Sequence, residues 1–425
     1  MALEESLAID RADSVENVAV PATCDGGESL ASTSMFERTW DRRGFLAFTG
    51  GTTLAMMLAG CGGDSEGTPT TTTPAASGPI SGVVNMLAWP GHGDKSLIGP
   101  FEEATGVKVR VKEYANGDEM IALVAQSPPG TFDVIMVDPE FIDQLLLADG
   151  LEPMDPEEYP AAETDFFDQF KPSSEFPVHW YDDKMYAVGW AFGYIGLAYN
   201  TDHFTADDVS SYDVLKAPEA KGRLGWTDYW AASMGPMSMY VGNKDDPFNP
   251  SDDSFAELRE TLLSLSGQTK GFYGIGDMVQ ALANGEAWVV AGGGNAVTLA
   301  SKRAGKPLEA VVPEEGAVQY TESLALAKGV KNPDAAKAFI NYCISPEGDA
   351  RKAMLPAYQG TPVSEAAWQW IADNEPSWVP LLQIDLNGPN YMDPWNDGRI
   401  ALRRQPKNQT IAEWQDVWTE FKASV

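Results

Sequence analysis

Three short stretches hold most of the side chains that could do chemistry: Trp89-Pro90-Gly91-His92, Asp138-Pro139-Glu140 and Trp226-Thr227-Asp228-Tyr229-Trp230. Each follows an apolar run that reads as a strand, so each is a strand-end loop. Aromatic faces and carboxylates in such loops suit an alkylammonium. A ring face attracts a cation through its quadrupole, and a carboxylate accepts charge-assisted hydrogen bonds from it. Each stretch also has a plainer reading. Trp89 can pack two halves of the protein together, Asp138 and Glu140 can open the helix before Phe141, and Tyr229 and Trp230 can be core. Catalysis has less to stand on. The chain contains neither H-E-x-x-H nor G-x-S-x-G, its three histidines (His92, His179, His203) are scattered, and no cysteine–histidine cluster has metal-ligand spacing. No cofactor or metal is therefore expected. The remaining enzymatic alternative is a hydrolase using paired carboxylates, Asp138 with Glu140 or Asp228 with Glu322.

The elements that must position these loops follow from periodicity. Val83–Trp89 is an apolar run bounded by Gly82 and Pro90. Lys95–Thr105 has helical spacing and stops at Gly106, and Val107–Val111 alternates as a strand. Asp118–Gln126 is a short helix, Phe132–Val137 a third strand, and Phe141–Ala148 a further helix. Strand and helix alternating at this interval predict a parallel sheet in an α/β domain. Tyr186–Tyr199 is apolar but punctuated by glycine; it predicts two short strands where the chain passes between lobes. Helices are predicted over Phe255–Leu265, Asp277–Asn284, Asn332–Cys343 and Ile411–Phe421, with a strand over Ala287–Ala291. Pro333 suits a first helical turn. Trp414 and Trp418, at i and i+4 of the last helix, are expected in the core.

Charge and cysteine usage narrow the class. The chain has 425 residues and a formal charge of −33; the first sixty residues carry nine acidic and four basic groups, which leaves −28 on the rest. Such a balance disfavours nucleic acid, whose partners present basic patches, and anionic lipid. It favours a cationic ligand, or a solvated surface suited to a saline or acidic exterior. Of three cysteines, Cys24 and Cys61 precede the folded part, so Cys343 is expected as a small buried hydrophobe. Asp41–Cys61 (DRRGFLAFTGGTTLAMMLAGC) has a charged start, a short apolar middle and small residues before its end, the pattern of an export signal. It is too short and too rich in glycine to span a bilayer. Arg42-Arg43-Gly44-Phe45-Leu46 resembles a twin-arginine signal, and Leu58-Ala59-Gly60-Cys61 resembles a lipobox whose cysteine is lipidated. Residues 1–60 are thus expected to be leader and signal. Residues 61–80, nearly devoid of apolar side chains, read as a flexible stalk.

Over most of residues 83–363 the chain resembles the spermidine/putrescine-binding proteins, extracytoplasmic receptors of ABC importers. The matching pieces are VVNMLAW…FEEATGVKV, YANGDEM, FDVIMVDPEFID, GYIGLAYN, PEAKGRLGWTD, NGEAWVV, RAGKPLEAVVPEEGA, ESLALAKGVKNPDAAKAFINY and GTP, in that order. The resemblance implies an α/β protein with the two-lobe periplasmic-binding-protein type II fold. It further implies a monomer that closes around a small solute and hands it to a membrane permease. Lobe 1 is expected over 81–193 plus 292–325, and lobe 2 over 194–291 plus 326–425. Trp89 matches the family's first-strand tryptophan, which stacks on the ligand's carbon chain. His92 stands where the family has a tyrosine, and Asp138 and Glu140 stand where a serine and a tyrosine touch ligand. Tyr320 and Glu322 lie near another aromatic contact. The family's acid pair would fall near Tyr229 and Ala232 and is not reproduced, although Asp228 is adjacent. A later tryptophan is replaced within Gly292-Gly293-Gly294-Asn295. Those glycines either expose backbone N–H groups to an anion or give a flexible return between lobes.

Overall fold

The computed structural model describes residues 80–356 and 359–425; the leader, the twin arginines, Cys61 and most of the stalk lie outside the described residues. Three parallel strands, β1 (Val83–Ala88), β2 (Lys108–Glu113) and β3 (Val134–Val137), alternate with α1 (Lys95–Thr105) and α2 (Gly117–Gln126). This is the alternation the sequence predicts. Asp94 caps α1 by accepting from the Ser96 amide, and α1 ends on Gly106 at φ 77°, in the left-handed region that favours glycine.

Tyr186–Tyr199 departs from the expectation of two short strands. One strand, β4 (Val188–Asn200), runs through it with all thirteen residues buried. Its glycines do not break it; they make room for neighbours. A Cβ on Gly193 would stand 2.5 Å from the Tyr320 ring, and one on Gly196 would stand 2.6 Å from the Val311 carbonyl oxygen. Beyond β4 come β5 (Leu224–Thr227), β6 (Thr269–Tyr273), β7 (Val289–Gly293), β8 (Leu308–Val311), β9 (Ala317–Ala327) and β10 (Ile400–Leu402). The sheet runs β2-β1-β3-β9-β4-β7-β5-β6, with β8 pairing β4 and β10 pairing β9. The helices used below are α3 (Trp230–Tyr240), α4 (Asn295–Arg303), α5 (Pro333–Cys343), α6 (Pro346–Ala353) and α7 (Ile411–Ala423).

Strands β4 and β9 are antiparallel and serve two cores at once. One end of the pair packs Phe192 and Leu324 with Met86, Met136 and Phe339. The other end packs Leu197 and Val318 with Trp226, Met237 and Leu258. Trp414, Trp418 and Phe421 of α7 complete this second core, as expected for the tryptophans. The lobe boundaries read from the sequence grouped α5 and α6 with the second half of the molecule. In the structure they share the first core, because the apolar face of α5 (Ala335, Ala336, Phe339, Ile340) meets α1, with the Phe101 and Phe339 rings 5.1 Å apart. Residues 308–311, assigned from sequence to the first lobe, pair instead with the second-lobe end of β4 at Leu197–Asn200. Cys343 is free and buried.

Candidate functional site

Residues from the strand-end loops gather around Arg403, a cation that belongs to the chain. β10 delivers Arg403, whose amide donates to the Gln319 carbonyl of β9 at 3.0 Å. The Arg403 guanidinium donates through Nη2 to Asp138 Oδ2 at 2.6 Å. Its Nε forms an ion pair with Glu140 Oε1 at 2.5 Å. All three side chains are buried. On the other side the guanidinium carbon lies 5.8 Å from the centroid of the Tyr229 ring. Asp138 and Glu140 sit here because β3 ends at Val137 and Pro139 starts a single 3₁₀ turn, which aims both carboxylates off the end of the strand. Trp89, one residue past β1, donates its Nε1 to Asp138 Oδ1 at 3.4 Å and packs on Tyr114 with centroids 4.8 Å apart.

Electrostatics follow from that burial. Desolvation pushes Glu140 up to about 7; Arg403 counters it and the neighbouring Asp138 adds to it. Asp138 is raised by burial too, against the pull of Arg403. Burial opposes the charge on Arg403, yet Glu140 and Asp138 outweigh it and hold its pKa above the ordinary value. The guanidinium is therefore permanently charged and faces two carboxylates.

A second buried pair lies beside the first. Lys352 of α6 and Glu322 of β9 form an ion pair at 2.5 Å, with both side chains almost wholly out of solvent. Gly360 leaves space for it, since a Cβ there would overlap the Lys352 ammonium. Asp349, also fully buried, accepts from the Ser364 amide at 3.3 Å. Burial pushes its carboxyl well up, while Lys352 and the Ser364 hydrogen bond work against that. His92 is buried against Trp190, with ring centroids 5.5 Å apart and Nδ1 2.9 Å from the Trp89 carbonyl. Burial lowers it to about 3, with Lys352 adding to the effect, so it is neutral at physiological pH.

Of the residues singled out from sequence, the structure brings together Trp89, His92, Asp138, Glu140, Tyr229 and Glu322. Tyr320 stands over Gly193 at the point where β4 and β9 pass between the cores. Asp228 and Trp230 stand apart from that cluster. Asp228 is exposed and bonded to Lys422 of α7 at 2.8 Å. Trp230 packs on Trp414 and Phe248 in the second core. Sequence reasoning missed Arg403 and Lys352. Arg403 lies 265 residues from Asp138, and nothing in the local pattern of Ile400–Arg404 joins the two.

An open cleft of about 290 Å³ remains beside the crossing strands, lined among others by Tyr194, Gly294, Asn295, Tyr391, Asp393 and Arg399. Tyr194 stacks on Tyr391 at 4.7 Å and 20°, and its amide donates to the Tyr391 hydroxyl at 3.0 Å. The Tyr194 hydroxyl is buried and has no hydrogen-bond partner among the described residues. Gly294 precedes α4 so closely against β4 that a Cβ would overlap the Tyr194 carbonyl. The glycine run thus serves a tight approach of α4 to the crossing strand, and Asn295 at the first turn of α4 faces the cleft.

Two cores spanned by shared strands, with polar loops meeting where those strands cross, define a receptor of the periplasmic-binding-protein type II fold. The chain belongs to the bacterial extracellular solute-binding protein family, whose sequence profile matches residues 96–379; it binds a solute and is not an enzyme. It is similar to the putrescine-binding periplasmic protein PotF of Escherichia coli, at 25% identity over 280 residues, which cover 62% of this chain and 74% of the relative. It is also similar to the spermidine/putrescine-binding periplasmic protein of Salmonella typhimurium, at 24% identity over 61% of this chain and 72% of that protein. Among solved structures, the spermidine/putrescine substrate-binding protein PotD of Streptococcus pneumoniae superposes with a TM-score of 0.66 at 18% identity, over 80% of this chain and 99% of that one. AgtB of A. tumefaciens, in complex with agropinic acid, superposes with a TM-score of 0.53 at 21% identity, over 80% and 99% of the two chains.

Proposed function

We propose that this protein is the substrate-binding component of an ABC importer and captures a small amine-bearing solute, a polyamine or a related amine. Capture works by closure of two lobes that touch the ligand together only when closed. The observation that carries the reading is the cluster of Trp89, Asp138, Glu140 and Tyr229 from both halves of the molecule, in which the two carboxylates and the Tyr229 ring hold the cationic Arg403 side chain and Trp89 bonds to Asp138. The relatives' names, putrescine- and spermidine/putrescine-binding, point to the same chemistry.

The test is a thermal-shift screen of putrescine, spermidine, other amines, sugars and phosphonates, followed by the same measurement on Trp89→Ala. A ligand at 100 times its Kd stabilises by about 2.7 kcal/mol, a shift of several degrees. A cation over a desolvated tryptophan gains about 2 kcal/mol, so Trp89→Ala is expected to weaken an amine at least tenfold. Response to an uncharged sugar or an anion, and to no amine, overturns the amine assignment. One observation favours that second reading, the same receptor role for another solute such as a sugar, phosphonate or metal chelate: Arg403 and Lys352 already neutralise much of the site's negative charge.

The proposal extends to how the receptor is held. Export by the twin-arginine route through Arg42 and Arg43, followed by lipidation at Cys61, would tether a monomeric domain on a polar stalk outside the cytoplasmic membrane. Two or more acyl chains are needed for a stable anchor. Cys61→Ser is therefore expected to move the protein from the membrane fraction to the soluble one. Retention in the membrane fraction after that change removes the anchor from the proposal.

A further inference from the structure

We infer that Arg403 is a resident occupant of the cation seat formed by Asp138, Glu140 and Tyr229, competing with a solute's amine for the two carboxylates and so setting which solutes the receptor accepts. The inference rests on the reading of this buried cluster as the ligand site. Arg403 is held as a bound guanidinium would be: two carboxylates grip it from the loop after β3, and Tyr229 covers it from the loop after β5. A planar guanidinium with forked donors suits this arrangement better than an ammonium, which is a compact point charge.

Arg403 also lies past the residues matched by the family profile, which end at 379. Its backbone is fixed, because β10 pairs with Ala317–Gln319 of β9 and the Arg403 amide donates to Gln319. Only the side chain needs to rotate for the seat to empty.

The guanidinium occupies the space between the two carboxylates, so an amine takes both of them only by displacing it. Removing the Arg403 side chain leaves two buried carboxylates facing a space of guanidinium size. Burial favours their protonated forms once Arg403 is gone, and an incoming cation that pairs with both restores the charge-assisted hydrogen bonds that Arg403 made.

The experiment is calorimetric titration of the full chain and its Arg403→Ala variant with methylguanidinium, agmatine and putrescine. Arg403→Ala is expected to bind agmatine at least tenfold more tightly than the unsubstituted protein, a difference of about 1.4 kcal/mol. Adding Asp138→Asn and Glu140→Gln to that variant should erase the gain. Equal or weaker binding by a folded Arg403→Ala overturns the inference. If Arg403→Ala does not fold in plain buffer, the readout is recovery of its unfolding transition by millimolar methylguanidinium chloride and not by equal sodium chloride. Absence of recovery overturns the inference equally. The two readings fail separately. An unsubstituted protein that binds amines no less tightly than the variant refutes the competition and leaves amine capture standing. An unsubstituted protein that binds none, beside a variant that does, refutes native amine capture and leaves the competition standing.

Discussion

Lys352→Met is expected to lower stability by about 3–5 kcal/mol, the usual cost of breaking a buried ion pair from one side. The ammonium is 2.5 Å from Glu322, and both groups are almost wholly out of solvent. The methylene stem is largely replaced by the methionine, so the loss reports charge more than volume. Asp349 sharpens the effect, since Lys352 is the nearby cation that works against the burial of its carboxyl. The measurement is urea unfolding of the unsubstituted protein, Lys352→Met, and Lys352→Met with Glu322→Gln. The double variant should recover much of the loss, because it no longer strands a carboxylate. A single-variant loss below about 1 kcal/mol, the range of exposed pairs, would mean that solvent reaches this pair.

How far this architecture could be read from the sequence depended on whether the signal was local. The unit β1-α1-β2-α2-β3 was legible because each piece carries its own period and its own stop, such as Gly106 after α1. The placement of Asp138 and Glu140 was legible for the same reason: both directly follow an apolar strand. β4 was misread because glycine normally interrupts a strand pattern, whereas here Gly193 and Gly196 admit Tyr320 and the Val311 carbonyl from neighbours far along the chain. β9 carried no local mark that it would pair with β3, β4 and β10 together. Arg403 and Lys352 were invisible for a stricter reason. A basic residue is assigned to solvent by default, and only a partner on another element changes that: Asp138 at the end of β3 for Arg403, and Glu322 on β9 for Lys352. The lobe boundaries suffered likewise, since α5 shows in its own sequence which face it buries but not that β1, α1 and α6 of the first core cover it.

Gly294→Ala is expected to lower stability by about 1–3 kcal/mol while leaving the fold intact, and to weaken a solute that extends from the Asp138–Glu140 cluster into the open cleft. The added methyl overlaps the carbonyl oxygen of Tyr194, and that oxygen belongs to a strand shared by both cores, so α4 is the element that yields. Overpacking of this kind costs about 1–3 kcal/mol. Here the displacement falls on Asn295 and Tyr194, which both line the open cleft, and on the Tyr194–Tyr391 stack. Circular dichroism and the unfolding midpoint would establish that the variant is folded, and calorimetry with the amine identified by screening would measure binding. Gly99→Ala is the matched comparison, a helical glycine with nothing within 4 Å of the added Cβ, and binding should be unchanged there. Undiminished affinity in Gly294→Ala would remove the glycine approach from the binding geometry.

The contact between Asp138 and Arg403 also has a consequence for the order in which the molecule can assemble. Its partners are 265 residues apart, and Arg403 arrives only when β10 has found β9, which must itself have joined β3 and β4. Loop-closure entropy makes so distant a contact a late event. Until it forms, two carboxylates at the end of β3 lack their counter-charge, and water must stay to solvate them. Drying of this cavity is thereby tied to completion of the sheet, and a chain stalled short of it keeps a wet, open seam through its centre. Because Trp89 donates to Asp138 at the edge of that seam, its indole passes from hydrated to half-buried surroundings in the same final step.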